Sequence, residues 1–106
     1  MFLVTDAMPP VGGVSSSYAL GGVVVTCRDG RCETADGVLA GSALDMMSAV
    51  RNAVATLGVD VAEAARMASS YPADFLGLAR HGRIAVGTRA AFVVADQELR
   101  VREVVG

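Results

Sequence analysis

Asp6 stands where a short apolar run, Phe2-Leu3-Val4-Thr5, gives way to Ala7-Met8-Pro9-Pro10-Val11-Gly12-Gly13. A carboxylate at the end of an extended apolar run, followed by a Pro and Gly loop, is how a (β/α)8 barrel presents a catalytic residue at the C-terminal face of its strands. Placed there, a carboxylate can serve as a general base or acid. The same local pattern also describes an ordinary loop acid accepting hydrogen bonds from backbone N–H groups at a strand end, and by local pattern alone that is the simpler account.

Cys27 and Cys32 are the second group with chemistry to offer. They flank Arg28-Asp29-Gly30-Arg31, in which Asp29-Gly30 is a strong signal for a two-residue type I′ hairpin turn. Such a turn pairs Arg28 with Arg31 and sets Cys27 opposite Cys32, near enough for a cross-strand disulfide. In a reducing compartment both stay as thiols, so buried or half-buried thiols are the expected state. Zinc is not supported: a structural site takes about four ligands, and the chain has two cysteines and one distant histidine, His81. Between Arg80 and Gly82, that histidine reads as an exposed turn residue.

The elements that would position these residues follow from periodicity. After an expected strand at 2–5 come the hairpin, over about 19–34, and a turn at Ala35-Asp36-Gly37. Leu39-Ala40-Gly41-Ser42 reads as a turn leading to a helix N-cap, because Ser42 and Asp45 have capping-box spacing. Leu44, Met47, Val50, Val54 and Leu57 then recur at three- and four-residue steps, predicting a helix over 43–57 that stops at Gly58. Asp60 and Glu63 repeat the cap signature before a short Ala-rich helix, and Pro72 opens a third that ends at Gly77. Met46, Met47 and Met67 fall at core-packing spacings. Beyond Gly82, residues 83–87, 91–95 and 99–104 read as strands.

The composition narrows the function classes. Hydrophobic residues make up 53% and charged residues 19% of 106 residues, with mean hydropathy +0.48. So apolar a chain of this length implies contact with further sequence or another subunit, or an exposed apolar patch. A net charge of −2 gives no long-range attraction to nucleic acid or anionic lipid. The nine arginines occur singly, and a solvated surface is their default reading. No apolar run approaches the ~18 to 20 residues of a membrane span. The N-terminus has no basic n-region, so the expected location is cytoplasmic and the expected partners include neither nucleic acid nor membrane.

Taken together, the motifs resemble the N-acetylglucosamine-6-phosphate deacetylases of the amidohydrolase superfamily, in their C-terminal portion. Leu3-Val4-Thr5-Asp6-Ala7-Met8 resembles the last barrel strand with its catalytic aspartate. Leu39-Ala40-Gly41-Ser42 resembles the substrate-contacting loop before the last helices. Val50-Arg51-Asn52, Arg66-Met67-Ala68, Tyr71-Pro72-Ala73, Leu76-Gly77-Leu78, Gly82-Arg83-Ile84, Gly87 and Phe92-Val93-Val94 continue the likeness in order. Ala90-Ala91 departs from it, where the family usually carries Ala-Asp.

The resemblance implies an α/β fold: a C-terminal fragment of a metal-dependent amidohydrolase (β/α)8 barrel, with its last strand and following helices, plus strands of a small β-sandwich. Residues 1–81 would carry the barrel part, with 19–34 inserted, and 82–106 the returning sandwich strands. It reverses the order of the two readings of Asp6, making it the general base and acid of an amide hydrolase. Leu39, Ala40 and Gly41 become substrate-binding residues, acting through backbone groups that can contact a sugar. A divalent metal, zinc or similar, would activate the water and polarise the carbonyl. Its ligands, like the phosphate-binding groups, would lie outside these residues. The implied partners are an amino-sugar phosphate and either a missing N-terminal portion or further copies in a homo-oligomer, and the isolated chain is expected to be inactive. The alternative is a catalytically silent fragment or self-associating module.

Overall fold

The computed structural model describes residues 1–13 and 15–106 and divides them into two compact units, Thr5–Asp45 and Met1–Val4 with Met46–Gly106. The first is a sheet unit. Its strands β1 (Ser17–Leu20), β2 (Val23–Arg28), β3 (Arg31–Thr34) and β4 (Leu39–Ser42) form one antiparallel meander in the order β1-β2-β3-β4. Asp29 and Gly30 both take positive φ, 51° and 80°, as the two central positions of a type I′ turn require. The turn fixes the register, with Arg28 opposite Arg31 and Cys27 opposite Cys32.

Two expectations change here. Cys27 and Cys32 are buried as foreseen, but they are joined in a disulfide, so neither is a thiol. Directly opposed strand positions bring the two Cα atoms to 4.0 Å, which puts the sulfurs within bonding reach of each other. Residues 39–42 form a strand where a loop was expected. Cys32 pairs with Gly41 and Arg31 with Ser42, and a bulge at Cys32/Glu33 adjusts the register. Val25, Cys27 and Cys32 make the core of this unit, with Met8, Tyr18, Ala40 and Ala43 packed against them.

In the second unit α1 (Met46–Asn52) runs on through a π-helical turn, Ala53–Leu57, to Gly58 at φ 71°. The stop at Gly58 agrees with the sequence, but the start lies three residues later than the expected one. Ser42 is already committed to β4, and its Oγ accepts from the Leu44 N–H at 2.8 Å, closing a local turn in place of a helix cap. Asp60 does cap α2 (Val61–Ala68), its carboxylate accepting from the Glu63 N–H at 2.7 Å. The brief helix α3 (Ser70–Phe75) follows. Val50, Ala53 and Ala64 form the core, joined by Leu3, Met47, Val54, Val59, Ala68 and Leu99. Met67 is also buried, whereas Met46 is about one-third exposed, at 37%.

Strands β5 (Phe92–Ala95) and β6 (Val101–Val105) form a separate antiparallel ribbon. The other two expected strands do not form. Residues 2–5 join no sheet ladder, and the Leu3 N–H donates to the carbonyl of Met67 at the end of α2 instead. Residues 83–87 fold into a turn. Thr88 Oγ1 accepts from the Ala85 N–H at 3.2 Å and lies 2.7 Å from the Ala85 carbonyl, while Arg80 Nε donates to the Gly87 carbonyl at 3.0 Å. A strand needs a neighbour to satisfy its N–H and C=O groups, and here a hydroxyl and a guanidinium satisfy them locally.

One arginine expected to be merely solvated, Arg51, acts as a clamp, while others form ion pairs at the surface. Arg51 donates to the carbonyl of Leu99, a residue with φ 60°, at 2.8 Å, and to Ser48 Oγ at 2.6 Å. Arg83 pairs with Asp74, and Arg102 with Asp96. Among the described residues no helix is long and apolar enough to cross a membrane.

Candidate functional site

Asp6 and the end of β4 meet in the sheet unit. Ala7 and Ser42 form a parallel bridge: the Ser42 N–H donates to the Asp6 carbonyl at 3.0 Å, and the Met8 N–H donates to the Ser42 carbonyl at 2.9 Å. The two segments singled out from sequence, 33 residues apart at their nearest members Asp6 and Leu39, are thus tied together by backbone hydrogen bonds.

At Asp6 the chain takes φ 51°, left-handed backbone that is uncommon for a residue with a side chain and is best tolerated by Asp and Asn. The residue is exposed, and no hydrogen bond or ion pair from another described side chain engages its carboxylate. The loop acid reading required that carboxylate to accept from nearby N–H groups. Among the described residues the Ala7 N–H donates to Thr5 Oγ1, at 3.3 Å, rather than to that carboxylate.

Gly41 is required by its surroundings. Its φ is 137°, and a Cβ there would meet the Met8 side chain at 2.6 to 2.8 Å. Glycine thus lets the strand pass beneath Met8. Ala40 turns into the core around Cys27 and Cys32, whereas Leu39, opposite Glu33, is exposed. Of the three sequence-derived binding residues, Gly41 therefore lies nearest Asp6 along the strand, and Leu39 farthest.

An open cleft of about 560 Å³ adjoins the loop that follows Asp6, with Pro10, Val11, Gly12, Ser16, Cys27 and Asp45 in its wall. Asp6 is not part of that wall. The cleft lay outside the sequence reading, although the Pro9-Pro10 and Gly12-Gly13 pairs signal the loop that shapes it.

The perturbed carboxylates lie in the other unit and serve its structure. Glu63 is held below its ordinary range first by hydrogen bonds from Arg66, at 2.7 and 3.0 Å, and then by the Tyr71 hydroxyl at 3.0 Å. Asp96 is lowered chiefly by the Arg100 backbone N–H at 2.9 Å, and next by Arg102. His81 is an exposed turn residue, as its sequence context implied.

No metal site is formed among the described residues: no three His, Cys, Asp or Glu side chains converge, and the disulfide consumes both cysteines. The divalent metal implied by the resemblance does not fit these residues.

A family model described as the amidohydrolase family matches residues 14–105. A relative from Escherichia coli K12, named a putative N-acetylgalactosamine-6-phosphate deacetylase, is 43% identical over 103 residues, covering 96% of this chain and 62% of the relative. An N-acetylglucosamine-6-phosphate deacetylase from Vibrio furnissii is 35% identical, covering 97% of this chain and 26% of that protein. The crystal structure of N-acetylglucosamine-6-phosphate deacetylase from Pasteurella multocida superposes with a TM-score of 0.86 at 35% identity, over 94% of this chain and 27% of that one.

The chain belongs to the amidohydrolase family. It is similar throughout its length to amino-sugar phosphate deacetylases and spans between about a quarter and three fifths of the relatives named above.

Proposed function

We propose that these residues contribute the proton-transferring acid and one backbone edge of the substrate site to the hydrolytic deacetylation of an N-acetylamino-sugar 6-phosphate. The observation that carries this reading is the bridge between Ala7 and Ser42, which sets an unengaged carboxylate in left-handed backbone beside a glycine-thinned strand.

On this reading the Asp6 carboxylate takes a proton from water as the water oxygen bonds to the acetamide carbon. The protonated carboxyl then donates to the amide nitrogen as the C–N bond breaks, yielding acetate and the free amine. One group serves both steps because the proton it gains is the one the leaving amine needs. Gly41, with Ala40 and Leu39 behind it, presents backbone N–H and C=O groups to the sugar. The segment before Asp6 corresponds to the last barrel strand, and residues 82–106 to sandwich strands. The remaining site groups come from further sequence or from another copy. Exposed Val93, Val94, Val101 and Val104 on the ribbon support such a covering surface.

N-acetylglucosamine 6-phosphate is the first substrate reading, supported by the solved structure. N-acetylgalactosamine 6-phosphate is the second, favoured by the higher identity of the Escherichia coli relative, 43% against 35%.

The test is a chimera in which residues 1–106 replace the matching segment of the Pasteurella multocida deacetylase, assayed for acetate release from both sugars. Asp6→Asn should lower turnover by about 100-fold or more while the chimera stays folded. Full activity with asparagine at position 6 sinks the assignment, and the ratio of rates on the two sugars decides between them. The 106 residues alone should release no acetate.

A further inference from the structure

The function proposed above leaves the Cys27–Cys32 disulfide unused, yet it sits two hydrogen-bonded steps from Asp6. We propose that Cys27 and Cys32 form a reversible dithiol–disulfide site whose oxidation state sets how firmly β4 holds the backbone at Asp6.

Three observations converge on it. First, the pair is most of the core it occupies. The buried cluster of the sheet unit is Val25, Cys27 and Cys32, so two of its three side chains belong to the disulfide. A unit with so little apolar interior depends on its covalent staple. Second, the route to the site is short and double. Cys32 is the strand partner of Gly41, and the next residue, Ser42, donates to the Asp6 carbonyl. Met8, which packs against the cysteine cluster, donates to the Ser42 carbonyl and lies over Gly41. The bulge between Cys32 and Glu33 lies on this route, where the β3–β4 ladder shifts register. Third, the two residues differ in access. Cys32 is 0% exposed, whereas Cys27, also buried at 8%, borders the 560 Å³ cleft beside Pro10 and Ser16. Cys27 is therefore the side of the pair nearer to an entering reductant.

The chemistry is thiol–disulfide exchange with a dithiol. A thiolate of the reductant attacks the Cys27 sulfur, the Cys27–Cys32 bond breaks, and Cys32 leaves as a thiolate that takes up a proton. The reductant's second thiol then displaces Cys27 from the mixed disulfide. Two electrons and two protons pass to the pair, and the dithiol becomes a cyclic disulfide. Glutathione disulfide runs the exchange in reverse. This coupling rests on the hydrogen bonds and packing, and it holds whether or not Asp6 is catalytic.

The experiment uses the full 106-residue chain, oxidised or treated with dithiothreitol. Thiols are counted by alkylation and mass spectrometry, and backbone amides are followed by hydrogen exchange. In the reduced chain both cysteines should alkylate, and the Ser42 and Met8 amides should exchange about tenfold faster or more. The Leu3 amide, bonded to Met67 in the other unit, should not change. Glutathione disulfide should restore protection. The double variant Cys27→Ser with Cys32→Ser should match the reduced chain and ignore both reagents. Unchanged exchange at Ser42 and Met8 after complete reduction overturns the proposal. So does a rise that includes Leu3, since that reports general unfolding, or a reduced pair that glutathione disulfide fails to close.

Discussion

The sheet unit and the helical unit hold themselves together by different means. In Thr5–Asp45 the interior is one valine and a disulfide, and Tyr18 in the surrounding shell has a buried hydroxyl that finds no hydrogen-bond partner among the described residues. In the other unit the helices close on small residues, with Ala49, Ala53, Ala64 and Ala73 buried beside Val50 and Met67, and arginine and acid side chains pin the loops. One unit relies on a covalent tie across a hairpin, and the other on close helix packing. A chain can therefore place candidate chemistry on its less well packed part, provided a local staple holds the backbone there.

The contrast can be broken at two glycines. In the helical unit a Cβ on Gly82 would lie 2.5 Å from the Ser69 carbonyl oxygen, and φ is 73°. Backbone cannot step aside, so Gly82→Ala should cost about 3 kcal/mol in denaturant unfolding. At Gly41 the obstacle is the Met8 side chain, which can rotate, so Gly41→Ala should cost nearer ~1 to 2 kcal/mol from backbone strain. Equal losses at the two sites would mean that the units are packed alike.

The staple comes next in size. Replacing both Cys27 and Cys32 by serine should remove about 2 kcal/mol from the sheet unit, as expected for so short a closed loop. Hydrogen exchange resolved by unit checks where the loss falls, and a loss spread evenly over both units contradicts the division of labour. Asp60→Ala removes the cap of α2 and should cost about 1 kcal/mol, confined to the helical unit, as read by the thermal midpoint together with exchange at the Ala64 amide.

The smallest effect is a pH dependence. The folded-state pKa of Glu63 is lowered by Arg66 and Tyr71, so the unfolded chain binds its proton more readily. The stabilisation is complete above the ordinary glutamate range and fades as pH falls through the lowered folded value. Glu63→Gln should lower the neutral side of the stability profile of the helical unit towards its acid side, flattening the step between them, and leave stability below the lowered folded value nearly unchanged. A profile identical to that of the parent chain would show that exposure to solvent screens the Arg66 pair completely.

Local signals were legible wherever a few neighbouring residues decide the outcome. Asp29-Gly30 dictated the turn and hence the opposition of Cys27 and Cys32, and Asp60 with Glu63 dictated the start of α2. Asp6 and the 39–42 segment could be singled out by residue type and by resemblance. Other readings failed where two local solutions compete. Ser42 has the spacing of a cap, but a strand partner in β3 claims it first. Residues 83–87 are apolar enough for a strand, yet Ile84 and Val86 are exposed, and Thr88 and Arg80 take up the backbone. The clamp from Arg51 to Leu99 spans 48 residues and has no local signature.

The sequence by itself determined the turn geometry, the helix stops and the family likeness, because each depends on residue type at short range or in a fixed order. The tertiary structure alone decided that β4 is a strand and that its end is bonded to Asp6. It also decided that Cys27 and Cys32 are joined. Those outcomes depend on which distant backbone groups find partners, and unsatisfied N–H and C=O groups are too costly to leave to local preference.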